Sequence, residues 1–112
     1  MEPLFFATAS ELRAWFAESH AREDEVWVGF YKRASGRPSV SWPEAVDEAL
    51  CVGWIDGIRK RVDELSYKNR FTPRRARSNW SEKNVKRVGE LTAEGRMLPA
   101  GLEAFERGTR GG

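Results

Sequence analysis

Two runs of alternating side chains, residues 54–62 and 67–74, are joined by Asp63-Glu64-Leu65-Ser66. Period-two runs joined by so short a connection pair as an antiparallel hairpin, so the chain must build a sheet. On the second run Tyr67, Asn69 and Phe71 alternate with Lys68, Arg70 and Thr72. On the first, strict alternation puts Trp54, Asp56 and Ile58 on one face and Ile55, Gly57, Arg59 and Arg61 on the other. A third run, Glu25 to Arg33, sets Val26, Val28 and Phe30 against Trp27, Gly29 and Tyr31. Both of its faces are apolar or aromatic, which suits a central strand.

Helices fill the rest. Thr8 and Glu11 have capping-box spacing, and Leu12, Trp15 and Phe16 form one stripe, so a helix is expected from about Ala9 to Ser19. Ser41 and Glu44 open a second helix with Pro43 in its first turn. Its buried stripe is Trp42, Ala45, Val46, Ala49 and Leu50, its wet face Glu44, Asp47 and Glu48, and Gly53 stops it. Ser81, with Ser78 as the alternative, caps a third helix whose apolar face is Val85, Val88 and Leu91 or Thr92, and Gly95 ends it. Leu98-Pro99 begins a short last helix with Leu102 and Phe105 inward, and residues 108–112 are expected as a disordered tail. The order α-β-α-β-β-α-α describes a single α+β domain over residues 1–107, with helices packed on a small, largely antiparallel sheet.

A chain of 112 residues holds one core. Its single cysteine, Cys51, excludes an internal disulfide framework, and its single histidine, His20, argues against a zinc site. Cys51 adjoins an apolar stripe and reads as a small buried residue rather than a nucleophile. No apolar run reaches membrane-spanning length, so no membrane insertion is expected. The first residues lack the basic and apolar regions of a secretory signal, and the expected address is cytoplasmic. There is no glycine-rich phosphate loop and no Ser/His/Asp or Cys/His spacing, and no cofactor is expected.

Charge is unevenly spread. Residues 1–56 carry 5 Lys/Arg against 10 Asp/Glu, whereas residues 57–88 carry 11 against 3. A basic segment attracts anions whatever the net charge of the chain. Within it Arg70, Arg74, Arg75 and Arg77 precede the helix start at Ser78–Ser81. Free amides at a helix start favour an anion, and arginine adds bidentate donors. Asn79 offers a hydrogen bond and Trp80 a stacking face. The candidate anion site is therefore Asp56, Arg70, Arg74, Arg77, Ser78, Asn79, Trp80 and Ser81. The plainer reading makes Trp80 core, Ser81 a cap, the arginines a solvated loop and Asp56 a structural ion pair.

Gly53-Trp54-Ile55-Asp56-Gly57, Arg70-Phe71-Thr72-Pro73-Arg74, Ser78-Asn79-Trp80-Ser81 with Asn84, and Gly95-Arg96-Met97 with Pro99-Ala100-Gly101-Leu102 form a set. With Trp27-Val28-Gly29-Phe30-Tyr31-Lys32 and Glu44 to Leu50, they resemble the YdeI/OmpD-associated family of small bacterial proteins. The resemblance implies an α+β fold sometimes grouped with YjbR/CyaY-like folds. It also implies a link, through genetic association, to bacteriocin protection and an outer-membrane porin. Iron binding is not carried over, because Glu18, Glu23, Asp24 and Glu25 are few and straddle a helix end.

The reading that follows is a non-enzymatic binding protein that takes an anionic ligand or nucleic acid on its basic Arg/Trp segment. One alternative is an enzyme acting on a phosphorylated or carboxylated small molecule, with Asp56 as acid/base. Another is a module that docks a protein partner in bacteriocin or stress protection. A pocket holding Asp56 and Arg70 favours the enzyme, and a flat basic face favours nucleic acid.

Overall fold

The computed structural model describes residues 2–75 and 80–110. Within them the chain runs β1 (Leu4–Phe5), α1 (Ala9–Ser19), β2 (Val26–Tyr31), a 3-10 turn at Arg33–Ser35, α2 (Trp42–Cys51), β3 (Trp54–Asp63), β4 (Ser66–Pro73), α3 (Glu82–Ala93) and α4 (Pro99–Arg110). This is an α+β domain in the expected order, with β1 added in front. The sheet order is β1-β2-β4-β3; β1 runs parallel to β2, and the other pairings are antiparallel.

Hydrogen bonds local in sequence start the helices. The Thr8 hydroxyl accepts from the Glu11 N–H at 3.2 Å, and the Glu11 carboxylate accepts from Ala7 at 3.0 Å instead of closing the box on Thr8. At α2 the box is reciprocal, with Glu44 accepting from the Ser41 N–H at 2.9 Å and Ser41 Oγ from the Glu44 N–H at 3.3 Å. Ser81 caps α3 by accepting from Asn84 at 3.2 Å.

The hairpin forms with a tighter turn than expected. Its strands run to Asp63 and from Ser66, and Asp63 Oδ1 accepts from the Leu65 N–H at 2.8 Å and the Ser66 hydroxyl at 2.9 Å. The Leu65 bond, then the Ser66 bond, holds the Asp63 carboxyl below its usual range. Strict alternation on β3 fails at one place. Asp56 sits opposite Phe71 and Arg59 opposite Asn69, so Gly57 and Ile58 share the single partner position at Arg70. This bulge returns Arg59 to the Asp56 face, where alternation alone had put it on the opposite one.

One face of the sheet carries the core. Val26, Val28, Phe30, Trp54 and Phe71 pack on Leu12 and Phe16 of α1 and on Ala45 and Ala49 of α2. Behind α2 a second cluster joins Leu50 and Cys51 to Val88 and Leu91 of α3, with Trp80, Met97 and Phe105 against it. Burial first, then the nearby Glu48 charge, pushes the Cys51 thiol up to about 11, so it stays protonated and unreactive. Val85 and Leu102, expected inward, are 39% and 42% exposed. The chain past residue 107 does not fray at once, because α4 continues to Arg110.

Two glycines permit the helices to pack. Gly53, at φ 79°, reverses the chain from α2 into β3. Gly101 lies against the Cys51 carbonyl, and a Cβ there would stand 2.9 Å from the Leu50 oxygen. At the same junction the Leu98 N–H bonds the Cys51 oxygen at 2.9 Å.

The largest departure from the sequence reading is Glu48, which belongs to the core and not to a wet face. Its side chain is 1% exposed. Arg13 Nε and Nη2 donate to its two carboxylate oxygens at 3.0 Å each, and Arg96 Nη2 donates to Oε2 at 2.9 Å. Burial of a carboxylate is tolerated only with such pairing. The network joins α1, α2 and the α3–α4 connection. Glu48→Gln keeps the shape and removes the charge. It should lower the unfolding free energy by about 2–3 kcal/mol in urea denaturation, the range for hydrogen bonds to charged groups; a loss below ~0.5 kcal/mol would show that the network is dispensable.

Candidate functional site

Among the described residues the helices sit on one side of the sheet, and the other face is half-buried at Trp27, Lys68 and Arg70 and exposed at Lys60. β2 turns Val26, Val28 and Phe30 into the core, so Trp27, Gly29 and Tyr31 point the other way. β4 pairs with β2 so that Trp27 lies opposite Arg70 and Gly29 opposite Lys68. On β3, Lys60 lies opposite Lys68. Among the described residues no helix packs on this face.

Its chemistry is aromatic and charged: Glu2, Glu23 and Glu25 line a cavity at Trp27, and lysines reach the same ring from β3 and β4. The Lys68 and Lys60 ammonium groups stand 4.9 and 5.9 Å from the Trp27 ring centre. Like charges directly across a strand pair disfavour folding, and the shared ring offsets part of that repulsion. Arg70 Nε meets Glu25 at 2.6 Å, which pins the guanidinium beside the same ring row. Further along β2, Tyr31 is already engaged. Phe5 crosses Gly29 to stack on it at 4.4 Å, and Arg37 lies 5.0 Å over the ring while donating to its hydroxyl at 3.0 Å. Among the described residues no aromatic ring stacks on Trp27. Trp27 and Tyr31, four residues apart, are separated by roughly 13 Å along the strand.

Of the residues singled out from sequence, the described ones, Asp56, Arg70, Arg74, Trp80 and Ser81, do not all lie together. Asp56 and Arg70 lie on opposite faces, because Asp56 pairs with core-facing Phe71 while Arg70 is its outward neighbour. Asp56 lines a groove between α2 and α3. Arg74 is 8% exposed, and its guanidinium lies 3.9 Å from the centre of the Trp80 ring. Burial lowers the Arg74 pKa, and the Asp56 charge opposes that shift. Trp80 meets Phe105 edge-on at 5.2 Å and rests on Gly108 of α4. The Arg74–Trp80 pair thus fastens the end of β4 to α4. Ser81 is a helix cap. Arg77, Ser78 and Asn79 lie outside the described residues.

The residues that sequence reasoning left out are Trp27, Lys60 and Lys68. Trp27 was visible as an aromatic opposite an apolar stripe, but its lysines come from β3 and β4 through pairing that local sequence does not encode. Among the described residues no three His, Cys, Asp or Glu side chains gather as a metal ion needs, and no helix is long and apolar enough to cross a membrane. The two tryptophans should separate by experiment. Trp80→Ala should cost about 2–4 kcal/mol of stability through lost packing, whereas Trp27→Ala on the open face should cost less than ~1 kcal/mol. Equal losses in denaturant titrations would contradict this division.

Comparison with known proteins adds a family but no activity. No curated protein and no solved structure matches the chain. Residues 4–104 match the family model described as Domain of unknown function (DUF8412). That match covers nearly the whole of the fold just described, and the chain belongs to this family.

Proposed function

We propose that the protein binds single-stranded nucleic acid on the open face of its sheet, without catalysis. The observation that carries this reading is Trp27 flanked by the Lys60 and Lys68 ammonium groups on a face that no described helix covers. A base stacks on an aromatic ring whatever its identity, and neighbouring cations take the phosphates. Four-stranded sheets with exposed aromatics bind single strands in this way, and the likeness here is one of architecture. A duplex would present its bases stacked and paired, so Trp27 would have no free base face to meet.

The reading keeps the anionic partner inferred from charge and moves the site. The basic segment contributes through Lys60, Lys68 and Arg70, while Arg74 and Trp80 serve the fold. An acid/base role for Asp56 lacks an anchoring Arg70 beside it, since that side chain faces the other way. We also propose kinship with the YdeI/OmpD-associated proteins and a cytoplasmic address, where single-stranded nucleic acid is at hand. The shared residues support kinship of fold above all: Trp54 and Phe71 are core, and Gly53 and Gly101 are packing positions.

The test is anisotropy of a labelled oligo-dT at several salt concentrations. Three phosphate contacts to a single strand give a slope of log K against log[salt] of about −2. Lys60→Ala with Lys68→Ala should bring the slope to roughly −0.7. Trp27→Ala should weaken binding by ~1–3 kcal/mol and leave the slope unchanged, because stacking releases no counterions. Absence of binding at low salt, or binding indifferent to the double lysine change, would overturn the proposal.

A further inference from the structure

The groove between α2 and α3 lies on the helical side of the molecule, away from the open sheet face. It encloses about 490 Å³, within the range of small-molecule sites. Trp42, Val46 and Leu50 give it an apolar wall, and Asp56 enters from β3. Most of its charges are already committed. Arg87 forms a two-pronged pair with Asp47, Nε and Nη2 donating at 2.8 Å each, and donates to Glu90 at 3.0 Å. Asp56 lies in the field of Arg74. Lys83 and Lys86, one turn apart on α3, are exposed and have no ion-pair partner among the described residues.

One further group is left unsatisfied. The indole N–H of Trp42 is out of contact with water and has no hydrogen-bond acceptor. Native structures pair such buried donors, so one without a partner calls for an explanation. An apolar wall with a planar ring, and two ammonium groups without an ion-pair partner among the described residues, are complementary to one kind of molecule.

We propose that this groove binds a small aromatic acid. Its ring lies against Trp42, Val46 and Leu50, and its acid group is held by Lys83 and Lys86. A purely apolar ligand would leave the lysines unused. A small inorganic anion would leave the apolar wall wet. The site is independent of the nucleic-acid face, so either reading can fail without the other.

The probe is 8-anilinonaphthalene-1-sulfonate, an aromatic ring system with one fixed negative charge, titrated into ¹⁵N-labelled protein and followed in ¹H–¹⁵N spectra. One indole N–H signal, assigned to Trp42 by its loss in Trp42→Phe, should move in a single saturable process with the amides of Lys83 and Lys86. Lys83→Glu with Lys86→Glu, both exposed and so compatible with folding, should weaken binding at least tenfold. Lys60→Glu on the sheet face should leave it unchanged. The proposal is overturned by shifts centred on Trp27 and Lys68, by absence of a saturable shift at Trp42, or by equal affinity in the double lysine variant.

Discussion

Removing the Glu48 carboxylate from water is costly, and Arg13 and Arg96 offset that cost with three hydrogen bonds of 2.9–3.0 Å. The geometry this requires is demanding. α1 must bring Arg13 to α2, and the chain between α3 and α4 must bring Arg96 to the same carboxylate. Once satisfied, the network fixes two parts of the chain, α1 and the α3–α4 connection, against α2 on one side of the sheet. Hydrophobic burial supplies most of the driving force there, but it is non-directional. The ion network supplies direction.

Layering the helices on one side has a consequence on the other. A sheet covered on both faces would read as apolar throughout, whereas here the uncovered face carries Trp27, Tyr31, Lys60, Lys68 and Arg70. Paired lysines across β3 and β4 work against the hairpin, while both ammonium groups stand over the Trp27 ring, which moderates the repulsion. A polyanion would relieve it further. The proposed site uses this same pair of lysines and the ring they share.

Features encoded by neighbours in the chain were legible. The caps at Thr8, Ser41 and Ser81 act over three residues, and the hairpin follows from alternation across a short connection. Features that depend on distant partners were not. Glu48 reads as surface because Arg13 and Arg96 lie 35 and 48 residues away. β1 has two residues, too few for any period to show. The Gly57–Ile58 bulge is a property of register, and register is set between strands. The candidate site shows the same division. Its basic segment stood out in composition, yet its most prominent aromatic, Trp80, is tied to Arg74 and α4. The ring that meets the lysines, Trp27, comes from a strand some forty residues upstream and is placed by the β2–β4 pairing.

The claim that the sheet face is the binding surface is tested most directly by lysine footprinting. The chain has lysines at 32, 60, 68, 83 and 86, which sample both sides of the molecule. Reductive methylation rates, read by mass spectrometry with and without saturating oligo-dT, report which ammonium groups the nucleic acid covers. The account predicts protection of Lys60 and Lys68 with Lys83 and Lys86 modified at unchanged rates. Protection of Lys83 and Lys86 instead, or equal rates at Lys60 and Lys68 with the oligonucleotide bound, would contradict it.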